Sequence, residues 1–386
     1  MARYNFKLSK MWVYILTFVL GLYVDQLSPK KCKNIRILFI GWLFIFLCFS
    51  YTNGSDWRSY ELGYEEGYLT YALMLQDLGF VALMNFFRLI FEDFWITLGL
   101  LKCIYLYSCI RILQKFTSHW ITSLVMMLPL SLMFMLIDNP LRFMVAMIFV
   151  NFAMLQLIGS KYIYTIILSL FALSCHSVSL LCIMLIPFVK YDLISKYKST
   201  TLIVMYIFIL LLSSSLDNML QLQRLTANIL ANYLGREGLG EHYEMENTES
   251  LFTLGTLINF ILFCIILKNK KLLITIDKKI FSSSVLYFYI FNISHVFPGG
   301  HRIRIILTFF CCISYAIIMF KAKMYRIILV PLFCGMLMKN IWVTYSYIPY
   351  TNSIPYIVTS HKSYSERFEL NLINYKKRTG REHFIE

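Results

Sequence analysis

The chain has 386 residues, of which 59% are apolar and 15% charged, with a mean hydropathy of +0.65; soluble domains carry about 25% charged residues. Water is therefore not its main solvent, and a soluble fold is excluded. The net charge of +15 would point to nucleic acid in a soluble protein, but Lys and Arg here sit in short clusters beside apolar runs, with no long basic stripe, so no nucleic-acid partner is expected.

Apolar runs of ~17 to 25 residues match a hydrocarbon core ~30 Å thick, and inside lipid such runs satisfy their own backbone as helices. A β-barrel is excluded, because runs such as 124–137 and 202–212 are apolar on every side, without alternation. In chain order the expected spans are 11–27, 37–51, 92–112, 120–137, 141–158, 162–175, 177–189, 200–216, 251–268, 281–297, 303–320 and 326–342, an all-α polytopic membrane protein of about twelve helices. The first run has a basic flank but no small-residue cleavage site, so a retained span is expected rather than a removed signal peptide. Lysines flank the stretch from Tyr162 to Tyr191, which reads as a hairpin of two short helices with Cys175, His176 and Ser177 at its turn.

With these spans the basic clusters at 30–36, 111–115, 161, 190–198, 268–279 and 321–326 share one side, assigned to the cytoplasm. Thirteen of the twenty-one acidic residues lie in loops 52–93 and 217–250, both on the opposite, outer face. Arg3, Lys7 and Lys10, and Lys376, Lys377 and Arg378, also fall outside, against the positive-inside rule. No fixed-period repeat is present, so residues 1–342 read as one membrane domain, followed by a polar tail, 343–386. The ten cysteines lie mostly in apolar runs without ligand spacing and read as small buried apolar residues, so no metal and no cofactor is expected.

Charges at the membrane are costly, about 2.5 to 3.5 kcal/mol each at a helix centre, and usually mark function. Four constellations stand out. In "YTNGSDWRSYELGYEEGY" (51–68), Gly54 and Ser55 allow a tight turn, Asp56 can accept protons, Arg58 can pair with phosphate, and Trp57 and Tyr60 offer flat faces for a sugar ring; an interfacial aromatic belt is the alternative. In "DNPLRF" (138–143), Arg142 either snorkels to the headgroups or presents a fork of donors to phosphate at a helix start. His176, in "ALSCHSVSL", is either a packing residue or a base reaching a water-filled cavity. In "NISHVFPGGHRIRI" (292–305), His295, His301, Arg302 and Arg304 surround a Pro-Gly-Gly break, a plausible anion site on the outer face. No nucleotide-binding loop and no His-Glu-x-x-His motif is present.

The order of these pieces, "NGSDWRSY", "LGFVALMNFFRLIFEDFWITL", "NPLRFMVAMIFV", "FALSCHSVSLLCIMLIPF" and "HRIRIILTFF", resembles the EpsG-like branch of Wzy-type O-antigen and capsule polymerases over about residues 37 to 320. The family pattern often reads Arg, one or two residues, then Gly-Thr-Asp-Tyr. Here that Arg is missing, Ser55 replaces Thr and Trp57 replaces Tyr, so only Gly54, Asp56 and Tyr60 carry over. The family's Arg-Gln pair appears as Arg142-Phe143, and its His-x-Ser piece as His176 with Ser179 in looser form.

The resemblance implies a GT-C-like, metal-independent membrane glycosyltransferase of the bacterial inner membrane. It would move a growing glycan from undecaprenyl diphosphate onto the next lipid-linked repeat unit, with membrane lipids and at most a chain-length regulator as further partners. Under it Arg142, Arg302 and Arg304 would stabilise the diphosphate leaving group, with His301 beside them, and His176 or Asp56 would be the base. Loop 217–250 would cover the acceptor glycan. The alternatives are a lipid-linked oligosaccharide flippase, which would show repeated halves and midplane cations, and another membrane transferase such as an O-antigen ligase.

Overall fold

The computed structural model describes residues 2–28, 32–54, 56–67, 77–217, 253–294, 300–344, 347, 350–359, 361 and 363–379. They form two compact units, one of residues 1–183 with 319–386, the other of residues 184–318. Among the described residues the regular structure is helical, with one isolated antiparallel bridge between Ser50 and Asn352.

In the first unit the helices are α1 (Ala2–Gln26), α2 (Lys33–Cys48), α3 (Trp57–Glu66), α4 (Leu78–Ile90), α5 (Phe94–Phe116), α6 (Trp120–Met126), α7 (Leu141–Ile158) and α8 (Tyr162–Cys175). α9 (Ser179–Lys190) leads into the second unit, which continues with α10 (Ser199–Asp217), α11 (Leu254–Lys268), α12 (Lys270–Ile276) and α13 (Lys278–Ser294). α14 (Ile305–Lys321) returns to the first unit, which ends in α15 (Arg326–Val343), α16 (Ile354–Thr359) and α17 (Tyr364–Thr379). Each of the twelve expected spans coincides with a helix, or, for 120–137, with α6 and the turns that extend it. Among the described residues three helices are long and apolar enough to cross a membrane, those over Phe94–Phe116, Leu141–Ile158 and Lys323–Val343, and four if α6 and its extension, bent by 43°, count as one broken span. Seven shorter apolar helices accompany them. Ile163, Leu170 and Phe171 of α8 are exposed, an apolar face suited to hydrocarbon rather than water.

Local chemistry explains the boundaries. Asp93 caps α5, its Oδ1 accepting from the backbone N–H of Trp95 (2.6 Å) and Ile96 (3.3 Å). After α6, Pro129 lacks a donor, and the chain widens into π-helical turns over Leu128–Leu132 and Phe134–Asp138. The Pro129 carbonyl accepts from Asn340 Nδ2 of α15 at 2.6 Å. Asn139 ends the segment with φ 64°, a left-handed conformation that Asn tolerates.

The core of the first unit carries one fully buried cation. Lys102 Nζ of α5 donates to Ser50 Oγ (2.8 Å), which donates to the Leu136 carbonyl (3.1 Å). This chain ties α5 to the end of α2 and to the π-helical segment. At one end of the unit, Asp25 accepts from Arg36 (2.8 Å) and from the Thr122 N–H (3.2 Å), His119 stacks on Phe320 at 3.5 Å, and Arg326 reaches Gln26 (3.2 Å). The loops after α2, before α4 and before α7, and the segment after α15, meet at the other end of these helices. In the second unit Tyr206 stacks on Phe263 (4.6 Å), Tyr289 Oη donates to the Leu202 carbonyl (3.0 Å), and Ser284 Oγ donates to the Phe310 carbonyl (2.8 Å).

Candidate functional site

Two of the sequence constellations lie directly against each other. Asn139 Nδ2 donates to the Asn53 carbonyl at 2.9 Å. Gly54 has φ +87°, and a Cβ there would collide with the Asp138 carbonyl, so the turn requires glycine twice over. "NGSDW" and "DNPLRF" are thereby locked backbone to backbone, and α3 and α7 start from one place.

The side chains that these helices present converge on Asp77, directly before α4. Asp77 Oδ2 lies 2.8 Å from Arg142 Nη1 and 3.8 Å from His176 Nδ1. Arg142 Nε donates to the Tyr60 hydroxyl at 3.2 Å, while its Nη2 makes no hydrogen bond among the described residues and its side chain keeps 19% of its surface exposed. His176 stands in extended backbone directly after α8, with Phe143 edge-on at 5.7 Å. Gly79 makes that approach feasible, because any side chain there would strike Ser174. Burial pushes the Tyr60 hydroxyl above its usual pKa, against the pull of Arg142, and so holds it as a neutral hydrogen-bonding group.

One residue further along α3, a second network begins, because successive helical side chains diverge by about 100°. Glu61 Oε1 accepts from Arg367 Nη2 (2.6 Å) and from Trp95 Nε1 (2.8 Å). The Arg367 guanidinium lies 5.8 Å to 6.0 Å from the ring centres of Trp95, Tyr51 and Trp57 and donates to the Tyr51 hydroxyl at 3.3 Å. His361 Nε2 stands 2.6 Å from Asp93 Oδ2. Two backbone bonds and one side-chain bond dock this segment: the Tyr51 N–H donates to the Thr351 carbonyl (2.9 Å), the Ser353 N–H to the Phe49 carbonyl (2.8 Å), and the Asn371 side-chain Nδ2 to the Thr52 carbonyl (2.7 Å). Burial raises the Glu61 carboxyl to about 7, against the opposing effect of Arg367 and Trp95.

Of the residues singled out in the sequence, Arg142 and His176 meet at Asp77, and Tyr60 joins them through Arg142. Asp56 stands one turn before Tyr60, its carbonyl accepting from the Tyr60 N–H at 3.4 Å, and its charge bears on the Tyr60 hydroxyl. Trp57 is fully enclosed, so it offers no open ring face; Arg58 lies 5.8 Å over the Phe368 ring, and its carbonyl accepts from Tyr364. Arg302 and Arg304 belong to the second unit. Arg304 sits over Phe291 at 4.5 Å, and its carbonyl accepts from the N–H of Leu307 and Thr308 at the start of α14. His295, Ser55, the side chain of His301, and 218–250 of the expected acceptor loop lie outside the described residues. Asp77, Glu61, Asp93, His361 and Arg367 were not anticipated. Asp77 had one local signal, an acid directly before an apolar helix in "QDLGF". Among the described residues no group of three or more His, Cys, Asp or Glu is placed to hold a metal ion.

Residues 33–358 match the model of the EpsG family, which covers most of the chain, so the protein belongs to that family of Wzy-type polymerases. No curated protein and no solved structure matches the chain.

Proposed function

From family membership as premise, we propose that this membrane protein is a polysaccharide polymerase of about twelve spans, GT-C-like, in the bacterial inner membrane. It moves a growing glycan from undecaprenyl diphosphate onto the next lipid-linked repeat unit at the outer face. The observation that carries the reading is the meeting of Arg142 and His176 on Asp77, with Tyr60 bonded to Arg142.

In such a transfer the bond from the anomeric carbon to the diphosphate oxygen breaks, and its electron pair leaves with the diphosphate. A new bond forms from that carbon to an acceptor hydroxyl oxygen, whose proton goes to a base. Arg142 suits the leaving group, since Asp77 and Tyr60 fix the plane of its guanidinium while Nη2 stays available. His176 suits the base, with Asp77 beside it to stabilise the imidazolium that forms. Arg302 and Arg304 lie in the second unit, before α14, and keep a proposed affinity for phosphate of their own; the reaction runs without a metal.

The test is in cells and membranes. Asp77→Asn and His176→Ala, in protein present at normal levels, leave surface lipid capped with a single repeat when glycans are sized on a gel. A normal ladder in both variants removes the polymerase assignment of this site, and loss of even the single capped repeat in a deletion strain points to a flippase or a ligase.

A further inference from the structure

A cavity of about 350 Å³ opens beside the Glu61–Arg367 pair, lined by Glu61, Asp93, Trp95, His361, Tyr364 and Arg367, with Glu65 and Glu92 among its acids. Its volume falls in the range of small-molecule sites, roughly 300 to 1,000 Å³. The wall is incomplete in one chemical respect. Glu61 is 2% exposed and its Oε1 takes two hydrogen bonds, whereas among the described residues its Oε2 takes none and Arg367 Nε is likewise buried without a partner. A buried carboxylate oxygen left unmade is costly, and here it belongs to a residue that lines the opening. Aromatic rings share the wall with these acids: Trp95 and Tyr364 both line the cavity, and Tyr51 and Trp57 pack behind them.

We infer that this cavity is a saccharide-binding pocket, separate from the Asp77 centre, for a sugar ring without acidic groups. An unmet acceptor oxygen beside aromatic faces fits a ring with hydroxyls on its edge and C–H groups on its face. The four carboxylates outnumber Arg367 and His361, so an anionic ligand is repelled. The inference rests on the polymerase reading for the source of the sugar, a unit of the lipid-linked glycan, and the two readings meet in α3, where Tyr60 faces Arg142 and Glu61 faces the pocket.

The full-length protein in lipid nanodiscs is titrated with glucose, galactose and N-acetylglucosamine, with glucuronic acid as the acidic control, and tryptophan emission is followed. A saturable change with at least one neutral sugar is expected, with glucuronic acid weaker, and with affinity about tenfold lower in Tyr364→Ala. No saturable change with any neutral sugar overturns the pocket, as does tighter binding of glucuronic acid, or wild-type titrations in both Tyr364→Ala and His361→Asn. A wild-type protein that extends glycans yet shows no sugar response sinks the pocket and leaves the polymerase. A sugar response in a protein that extends no glycan does the reverse.

Discussion

Arg142–Asp77 and Arg367–Glu61 are both arginine–carboxylate pairs, and both reach α3, at consecutive residues. The first pair keeps 19% and 10% of its side-chain surface exposed and, among the described residues, leaves a guanidinium nitrogen without a hydrogen bond; the second keeps 4% and 3% and is roofed by three aromatic rings. The first pair is the more open of the two, while the second fastens the segment around Arg367 and also forms one wall of the cavity beside it. The same chemistry thus centres on Asp77 in one place and combines assembly with a pocket wall in the other.

The largest effect is expected from Arg142→Lys, which keeps the charge but loses the fork that reaches Asp77 and Tyr60 together. Chain extension should fall by about 10²-fold or more, read as the polymer-to-single-repeat ratio, with the thermal midpoint unchanged; an equal fall in both would erase the distinction between the pairs. Arg367→Ala should act in the opposite sense, on stability, by roughly 3 to 5 kcal/mol, because it removes one partner of a buried, hydrogen-bonded pair. Limited proteolysis after residue 350 measures it, and protection equal to wild type counts against the fastening role.

A smaller effect concerns pH. Folding raises the Glu61 carboxyl from its ordinary 4.5 to about 7, so its stabilising contribution is whole below about 4.5 and is lost as pH rises through about 7. The fall is at most about 3 kcal/mol. Thermal unfolding from pH 5 to 8 should slope downward in wild type and lose that slope in Glu61→Gln; the same slope in both assigns it elsewhere. The smallest change is expected from Asp93→Asn, about 1 kcal/mol or less, since an Asn still caps α5 while its pairing with His361 weakens.

The helices of the twelve expected spans were legible because each is apolar over most of its surface, whereas α3 and α17 are polar and, with α4, fell in what read as an outer loop and a tail. The join of "NGSDW" to "DNPLRF" was half legible: both contain the Gly or Asn that a left-handed or crowded turn demands, but only folding shows that Gly54 meets Asp138. Arg142 and His176 stood out as charges in apolar surroundings. Asp77 did not, because it was one of thirteen acids in two polar loops. Trp57 reads as a sugar platform by residue type, yet the docking of Arg367 and Tyr364 encloses it. The Glu61–Arg367 pair spans 306 positions, and no local pattern marks such a partner.

That separation also orders events during synthesis. At ~5 to 20 residues per second, the ribosome delivers Arg367 roughly 15 to 60 s after Glu61, once the helices between them have been made. Until then Tyr51, Trp57 and Glu61 await their last neighbours, and the backbone bonds of Thr351 and Ser353 cannot form. The fastening of residues 351–371 onto 49–61 is therefore among the last contacts the chain can make, and a chain that ends before this segment leaves those partners unmet.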